Sequence, residues 1–290
     1  MASNFGQLEK GVQNLFLKNN IFQFQGKTYQ IKVIGKPTPS NGHGEPKTDL
    51  FILAEDVSTD KSLELKLSIK KDDYEFLENR LDLARFTQIF NKSSISNIFN
   101  YFLAVEKNNP IAVYRSTSKS FIYKLGAMAF ITNAPRTLSL KLNLSLAEKL
   151  EILCGKNLDS AKKNSKVNNQ IYKDSGVANY ILKLNEKDIS KGLPYILKQL
   201  QNPRSFASTI DYYFALTRLN YRSDSDKWDG DRPLFICTNF NVINNQIISK
   251  YSTKMFVNGN KIGNAIKNKI KELEFKRINV SQNEFNSYFK

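Results

Sequence analysis

The sequence predicts an α/β protein with a central mixed β-sheet flanked by helices, and three observations carry that expectation. Apolar residues near the N-terminus recur at helical spacing, and a ten-residue stretch soon after alternates apolar with polar at a period of two. Runs of both kinds then follow one another to the C-terminal end without an internal repeat.

Taken in order, "FGQLEKGVQNLFLK" (5–18) puts Leu8, Val12, Leu15 and Phe16 on one helical face, with Glu9 on its flank. "KTYQIKVIG" alternates as a strand, and "KPTPSNGHGEP" is a turn-rich connection of Pro, Gly, Ser and Asn. "TDLFILAED" reads as the next strand and "DVSTDK" as its turn. "SLELKLSIKK" places Leu63, Leu65, Leu67 and Ile69 on one face and Glu64, Lys66, Ser68 and Lys70 on the other. "DDYEFLENRLDLARFTQIF" begins with acids suited to a helix N-terminus and is expected to be helical.

Beyond residue 110, "IAVYRSTS" and "SFIYKLGAMAFITN" read as strands. Two helices, "SLAEKLEILCG" and "SGVANYILKL", are expected on either side of the basic, Asn-rich connector "KNLDSAKKNSKVNNQIYKD". "LPYILKQLQNPRSFASTIDYYFALTRL" is expected to be mostly helical, with a break near Pro203. The strands "PLFICTNFNVIN" and "QIISKYSTKMFVNG" and a basic helix around "NAIKNKIKELE" complete the reading.

Composition narrows the function. Lys and Arg number 43 against 27 Asp and Glu, a net charge of +16, which favours a polyanionic partner because each neutralised phosphate releases counterions. The plainer reading, a basic but uninvolved surface, is open because the chain is rich in Lys and Asn. No apolar run approaches the ~20 residues needed to span a bilayer, and "MASNFGQLEKGVQ" lacks a signal peptide's apolar core, so a cytoplasmic protein with no membrane partner is expected. Cys154 and Cys237 have no CxxC spacing and are expected as buried thiols. The single histidine, His43, excludes a histidine pair and HxH metal ligands, and it is read as a turn or DNA-facing residue rather than the base of a Ser-His-Asp relay, so catalysis is expected to rest on carboxylates, lysines, hydroxyls and a metal.

Asp49 therefore stands out, an acid between a glycine-rich turn and an apolar strand. An aspartate there and a lysine on the polar face of the following strand can meet over one edge of a sheet. The acid can hold a divalent cation, and the lysine can orient a nucleophile and offset charge on phosphorus. Two registers fill the pattern: Asp49 with Glu64 and Lys66, a literal Glu-x-Lys, or Asp49 with Ser68 and Lys70. All four polar residues share one face, so periodicity does not choose. The plainer reading is a turn aspartate and a solvated strand face.

"GEPKTDLFIL" followed by "LKLSIKK" resembles the PD-(D/E)XK nuclease core as it occurs in type II restriction endonucleases, in the branch with a Pro-Lys-Thr-Asp motif and a neutral residue before the catalytic lysine. The resemblance covers residues 5–90. It implies a restriction-endonuclease-like core with an added helical and strand region. Residues 1–110 would carry the catalytic strands, and 111–290 the remainder of the core and the DNA-recognition elements, as one elaborated domain. It further implies Asp49 as metal ligand, Lys70 as catalytic lysine, Ser68 at the variable position, and the Ile69 carbonyl as a second metal ligand. Lacking an acid at position 68, the site would hold one Mg2+ more tightly than two unless Glu64 or Glu9 reaches in.

The implied activity is restriction: Mg2+-dependent, site-specific hydrolysis of double-stranded DNA, as part of a restriction-modification pair, by a monomer or homodimer. A repair, recombination or structure-specific nuclease with the same core is the first alternative, and a catalytically inactive DNA-binding protein the second. Base reading needs Arg, Lys, Asn or Gln at groove edges. "NYRSDSDKWDGDRP" offers Arg222, Lys227 and Arg232 beside Asp224, Asp226, Asp229 and Asp231, and the connector offers Lys162, Lys163 and Lys166 to a phosphate backbone. Lys47 and His43 are expected to face DNA or solvent.

Overall fold

The computed structural model describes residues 5–79, 81–108, 113–115, 121–229, 232–243, 246–252 and 254–275. The chain forms two compact units, and it enters each one twice. Unit 1 comprises residues 1–75 and 143–211, and unit 2 comprises 76–142 and 212–290. The boundary expected at 110 thus falls inside the stretch that belongs to unit 2.

The first pass through unit 1 is α1 (Phe5–Lys18), β1 (Ile21–Phe24), β2 (Lys27–Gly35), β3 (Leu50–Asp56) and β4 (Ser62–Lys71). In unit 2 follow β5 (Phe76–Glu78), α2 (Leu83–Ile89), α3 (Lys92–Lys107), β6 (Val113–Arg115), β7 (Phe121–Thr132) and β8 (Ser139–Lys141). The second pass through unit 1 gives α4 (Leu146–Cys154), α5 (Ser160–Lys163), β9 (Lys166–Val167), β10 (Gln170–Ile171), β11 (Tyr180–Leu184), a 3-10 turn (Glu186–Lys191), α6 (Leu193–Lys198), β12 (Leu200–Gln201) and α7 (Pro203–Ala207). Unit 2 is completed by β13 (Tyr213–Arg222), β14 (Lys227–Trp228), β15 (Ile236–Ile243), β16 (Gln246–Tyr251) and α8 (Gly259–Phe275).

Unit 1 is built on a six-stranded mixed sheet in the order β1-β2-β3-β4-β11-β12, in which β4 and β11 run parallel and the other neighbours antiparallel. The amphipathic α1 lays Leu8, Val12 and Phe16 on the sheet face made by Leu50, Ile52, Leu65, Leu67, Ile69 and Leu182, and these side chains form one buried core. Each fully buried aliphatic side chain in it contributes on the order of 1.5–3 kcal/mol. Because side chains alternate across a strand, Phe51, Glu64, Lys66, Ser68 and Lys70 occupy the opposite face. Phe51 is fully buried there, its ring 5.1 Å from that of Tyr172.

Unit 2 is organised around β7, which pairs with β13 along most of its length and with β5, β6 and β15. Its core is aromatic: Phe86, Phe102, Phe214 and Phe235 lie in mutual ring contact, with Phe214 and Phe235 centroids 5.0 Å apart. Two buried ion pairs, Arg85 with Glu78 and Arg218 with Glu106, tie α2 to β5 and α3 to β13.

Three expected helices are corrected. The segment 72–90 is a turn, then β5, and only then the short helix α2, whose N-cap Asp82 accepts the N–H of Arg85. The segment 175–184 ends as β11, and 213–219 lies in β13. Tyr180–Leu184 stands between β4 and β12, and Ile181, Leu182 and Leu184 are buried on both faces. A strand buried on both faces shows a continuous apolar run rather than alternation, which is how it passes for a helix.

Candidate active site

β3 begins opposite Leu67 near the C-terminal end of β4, and Asp49 sits one residue before β3. Its backbone N–H donates to the Leu67 carbonyl at 2.8 Å, and its carboxylate Oδ2 accepts the Ile69 N–H at 2.7 Å. The side chain thus takes a rung of the ladder ahead of the first residue of β3. Oδ1 has no hydrogen-bond partner among the described residues. Asp49 projects with Ser68 and Lys70 onto the sheet face opposite α1.

The charges around Asp49 come from three other elements. Desolvation pushes its carboxyl above the ordinary value. Lys70 opposes that, Glu9 of α1 adds to it, and the Ile69 N–H and Lys36 oppose it. Lys36, just past β2, holds Glu9 through a 2.8 Å ion pair. Burial acts to lower the Lys36 ammonium, but the hydrogen bond and charge of Glu9 outweigh it and the pKa ends above that of a free lysine. Lys70 forms no ion pair of its own among the described residues. Ser68 is fully buried and its Oγ has no hydrogen-bond partner among the described residues, as is true of the buried Oγ1 of Thr48. Lys36 was not singled out in the sequence. The signal lies in the β2–β3 register, where Gly35 pairs with Phe51 and so brings residue 36 toward Asp49.

Glu64 and Lys66 form a separate arrangement further back on β4. Lys66 Nζ bonds Glu64 at 3.1 Å, and Asn179 clamps the strand by accepting the Lys66 N–H at 2.7 Å and donating to the Glu64 carbonyl at 2.9 Å.

The expected phosphate-contacting residues fall into two groups. In unit 1 the turn-rich loop 36–48 is sewn to the connector after α4: Thr38 exchanges hydrogen bonds with Lys166, Ser40 N–H donates to Ala161, and Lys47 N–H donates to Gly176. Only glycine fits at 176, where a Cβ would lie 1.9 Å from the Lys162 carbonyl oxygen. This seam brings exposed His43 and half-buried Lys47, Lys162, Lys163 and Lys166 into one region. Lys162 is paired with Asp159 at 2.9 Å and Lys163 with Asp174 at 3.5 Å. In unit 2, Arg222 is ion-paired with Asp229, and Asp226 accepts from Tyr221 at 2.9 Å and binds Lys267 at 2.7 Å, so these acids perform local turn chemistry. Lys227 is exposed on β14 and Arg232 is half-buried. Asp231 lies outside the described residues.

The donors around Asp49 are hard oxygens: its own carboxylate, the Ile69 backbone, the Ser68 hydroxyl and, through Lys36, Glu9. Among the described residues no group of three or more His, Cys, Asp or Glu could enclose an ion. Such a set suits a cation that keeps most of its waters.

No family model, curated protein or solved structure matches the chain. Fold and site together define a mixed α/β protein in which a carboxylate raised by desolvation and a lysine with no ion pair among the described residues lie where β3 begins beside β4. No helix among the described residues is long and apolar enough to cross a membrane.

Proposed function

We propose that the protein is a Mg2+-dependent endonuclease of the PD-(D/E)XK, type II restriction class, cutting double-stranded DNA at a specific site. The observation that carries this reading is the placement of Asp49, with one carboxylate oxygen uncommitted, within the electrostatic reach of Lys70, which has no ion pair, both taken among the described residues. A carboxylate held desolvated beside cations is a group whose ionised form a metal would stabilise. Asp49 and the Ile69 carbonyl would hold the ion. When bound, Mg2+ polarises the scissile phosphate and acidifies water. The Ile69 N–H fixes the Asp49 carboxylate in one orientation. The Lys70 ammonium positions the attacking water by hydrogen bonding and offsets charge developing on the phosphorus centre. Lys36 holds Glu9 near the site without closing it. The basic seam of Lys47, Lys162, Lys163 and Lys166 supplies cations for the DNA backbone.

The test is incubation with unmethylated plasmid and Mg2+, followed by sequencing of the fragment ends. Discrete ends at one motif support restriction. Ends without a motif favour a repair, recombination or structure-specific nuclease. Retained binding with no cleavage in either Mg2+ or Mn2+ makes the protein a DNA-binding module.

A further inference from the structure

Unit 1 contains a cavity of about 440 Å3 whose lining includes none of Asp49, Ser68, Lys70, Glu9 or Lys36. Its nearest approach along β4 is Lys66, four positions before Lys70, or ~13 Å of strand. Leu150, Val177, Ala178 and Pro203 give it an apolar floor. Four cationic side chains, Lys66, Lys156, Lys163 and Arg204, surround that floor against the single carboxylate of Asp174.

The charges are not equally committed. Lys66 is neutralised by Glu64 at 3.1 Å, and Lys163 leans on Asp174 at 3.5 Å. Lys156 and Arg204 are exposed and form no ion pair among the described residues. Unpaired surface cations are common, but here two line the same concave surface, part of whose wall is held by hydrogen bonds. Asn179 spends both ends of its amide on β4, and Asn202 Oδ1 accepts the Arg204 N–H at 2.8 Å. A preformed cavity of this size with few convergent polar groups is the usual form of a small-molecule site.

The lining also selects the ligand. The guanidinium fork of Arg204 matches a phosphate bidentately, and Lys156 adds a point charge. A bare anion would leave the apolar floor uncovered. A purely aliphatic acid would cover that floor but offer no hydrogen-bonding edge to Asp174, which Lys163 holds at 3.5 Å, or to the Asn202 amide, whose oxygen already accepts from Arg204. A phosphate attached to a nucleobase answers all three demands. We infer that this cavity is a nucleotide-binding pocket, with the phosphate held by Arg204 and Lys156 and the base covering Leu150, Val177 and Pro203 within reach of Asp174. The inference does not depend on the metal chemistry at Asp49.

The experiment is calorimetric titration of the full chain, in EDTA, with each of the four deoxynucleoside 5′-monophosphates, with the corresponding nucleosides and with inorganic phosphate. At least one mononucleotide is expected to bind saturably, at least tenfold more tightly than its nucleoside or than phosphate alone. The double variant Arg204→Ala, Lys156→Ala is expected to lose at least tenfold in that affinity. Both side chains are exposed, and an unchanged thermal melting curve will show that the variant is folded. Adding a single-stranded oligonucleotide then identifies the source of the ligand. Competitive displacement of the mononucleotide means the pocket receives a nucleotide within a strand, and its absence means it takes a free nucleotide. No saturable binding of any mononucleotide at millimolar concentration, or binding untouched by the double variant, overturns the inference.

Discussion

An acid and a lysine lie toward each end of β4, and the two arrangements are built in opposite ways. At the start of the strand, Glu64 and Lys66 bond each other at 3.1 Å and the backbone is clamped by Asn179. At the other end, Asp49 and Lys70 come from different strands and act on each other only through their charges, while a backbone N–H orients the carboxylate. The first arrangement is closed, with each charge answered by the other. The second is open, because the carboxylate is desolvated without being neutralised, and a third charged group would improve it. Local composition is the same in both places, so it is geometry that separates a strand-face ion pair from a site.

The largest effect that would test this contrast is at the open end. Asp49→Asn is expected to lower cleavage by several kcal/mol of transition-state stabilisation, on the order of 10³-fold, while DNA binding persists. The same change should raise the melting temperature near neutral pH. The folded-state pKa of Asp49 is raised by desolvation, so between its unfolded and folded values the native state holds the extra proton. Stability contributed by that proton is present at low pH and is lost as pH rises through the folded pKa. The amide cannot ionise and still accepts the Ile69 N–H. Cleavage within tenfold of wild type, or a lower melting temperature at neutral pH, would remove Asp49 from the role assigned to it.

Next in size is Lys70→Ala, expected to cost on the order of 10²-fold in cleavage rate, the loss typical of one preorganised electrostatic group. The matching change at the closed end, Lys66→Ala, should leave the rate of the bond-breaking step within about threefold, since Glu64 already neutralises that charge. Single-turnover rates at saturating protein keep binding effects out of this comparison.

How legible this was in the sequence differs along the chain for physical reasons. α1 and β4 were readable because each has an apolar face whose period shows directly in the residues, and β3 because its short apolar run is bounded by turn residues. Asp49, Ser68 and Lys70 could be placed on one face from the same alternation. The choice between Lys66 and Lys70 was not readable, because it depends on where β3 begins relative to β4, a register that no local pattern encodes. β11 and β13 were taken for helices because their apolar runs are buried on both faces. Lys36 was missed because its partner, Glu9, is 27 positions away and meets it only once α1 lies on the sheet. The division into two units was hidden for a similar reason: each unit is closed by a segment that returns after the other has been built.

A third effect is the acid limb of the pH profile. If Asp49 must be ionised to act, its raised pKa moves the loss of activity to a higher pH than an ordinary aspartate would give. Measured as kcat/KM from pH 4 upward at fixed salt and at Mg2+ low enough to leave the free enzyme unloaded, so that the cation does not itself lower the carboxyl's pKa, the limb of wild type should lie above the usual aspartate value. In Lys70→Ala its midpoint should move higher still, because the nearest charge favouring the carboxylate is gone. An unshifted limb in that variant would show that Lys70 does not act on Asp49.

The smallest expected effect is at the closed end, and it is the sharpest test of the comparison. Glu64 is 40% exposed and Lys66 is 13% exposed, so their 3.1 Å contact is screened by water on the acid's side. Exposed pairs of this kind contribute between zero and about 1 kcal/mol, and Glu64→Gln keeps a hydrogen-bond acceptor for Lys66. The melting temperature should therefore move by no more than about 2–4 °C, and cleavage by no more than about threefold. Asn179 holds the backbone through the Glu64 carbonyl and the Lys66 N–H, neither of which the substitution touches. A small result leaves the open end as the site. If Glu64→Gln and Lys66→Ala instead abolish cleavage while Lys70→Ala remains active, the literal Glu-x-Lys is the reacting pair. The 3.1 Å ion pair would then be a resting state that opens to admit the substrate phosphate.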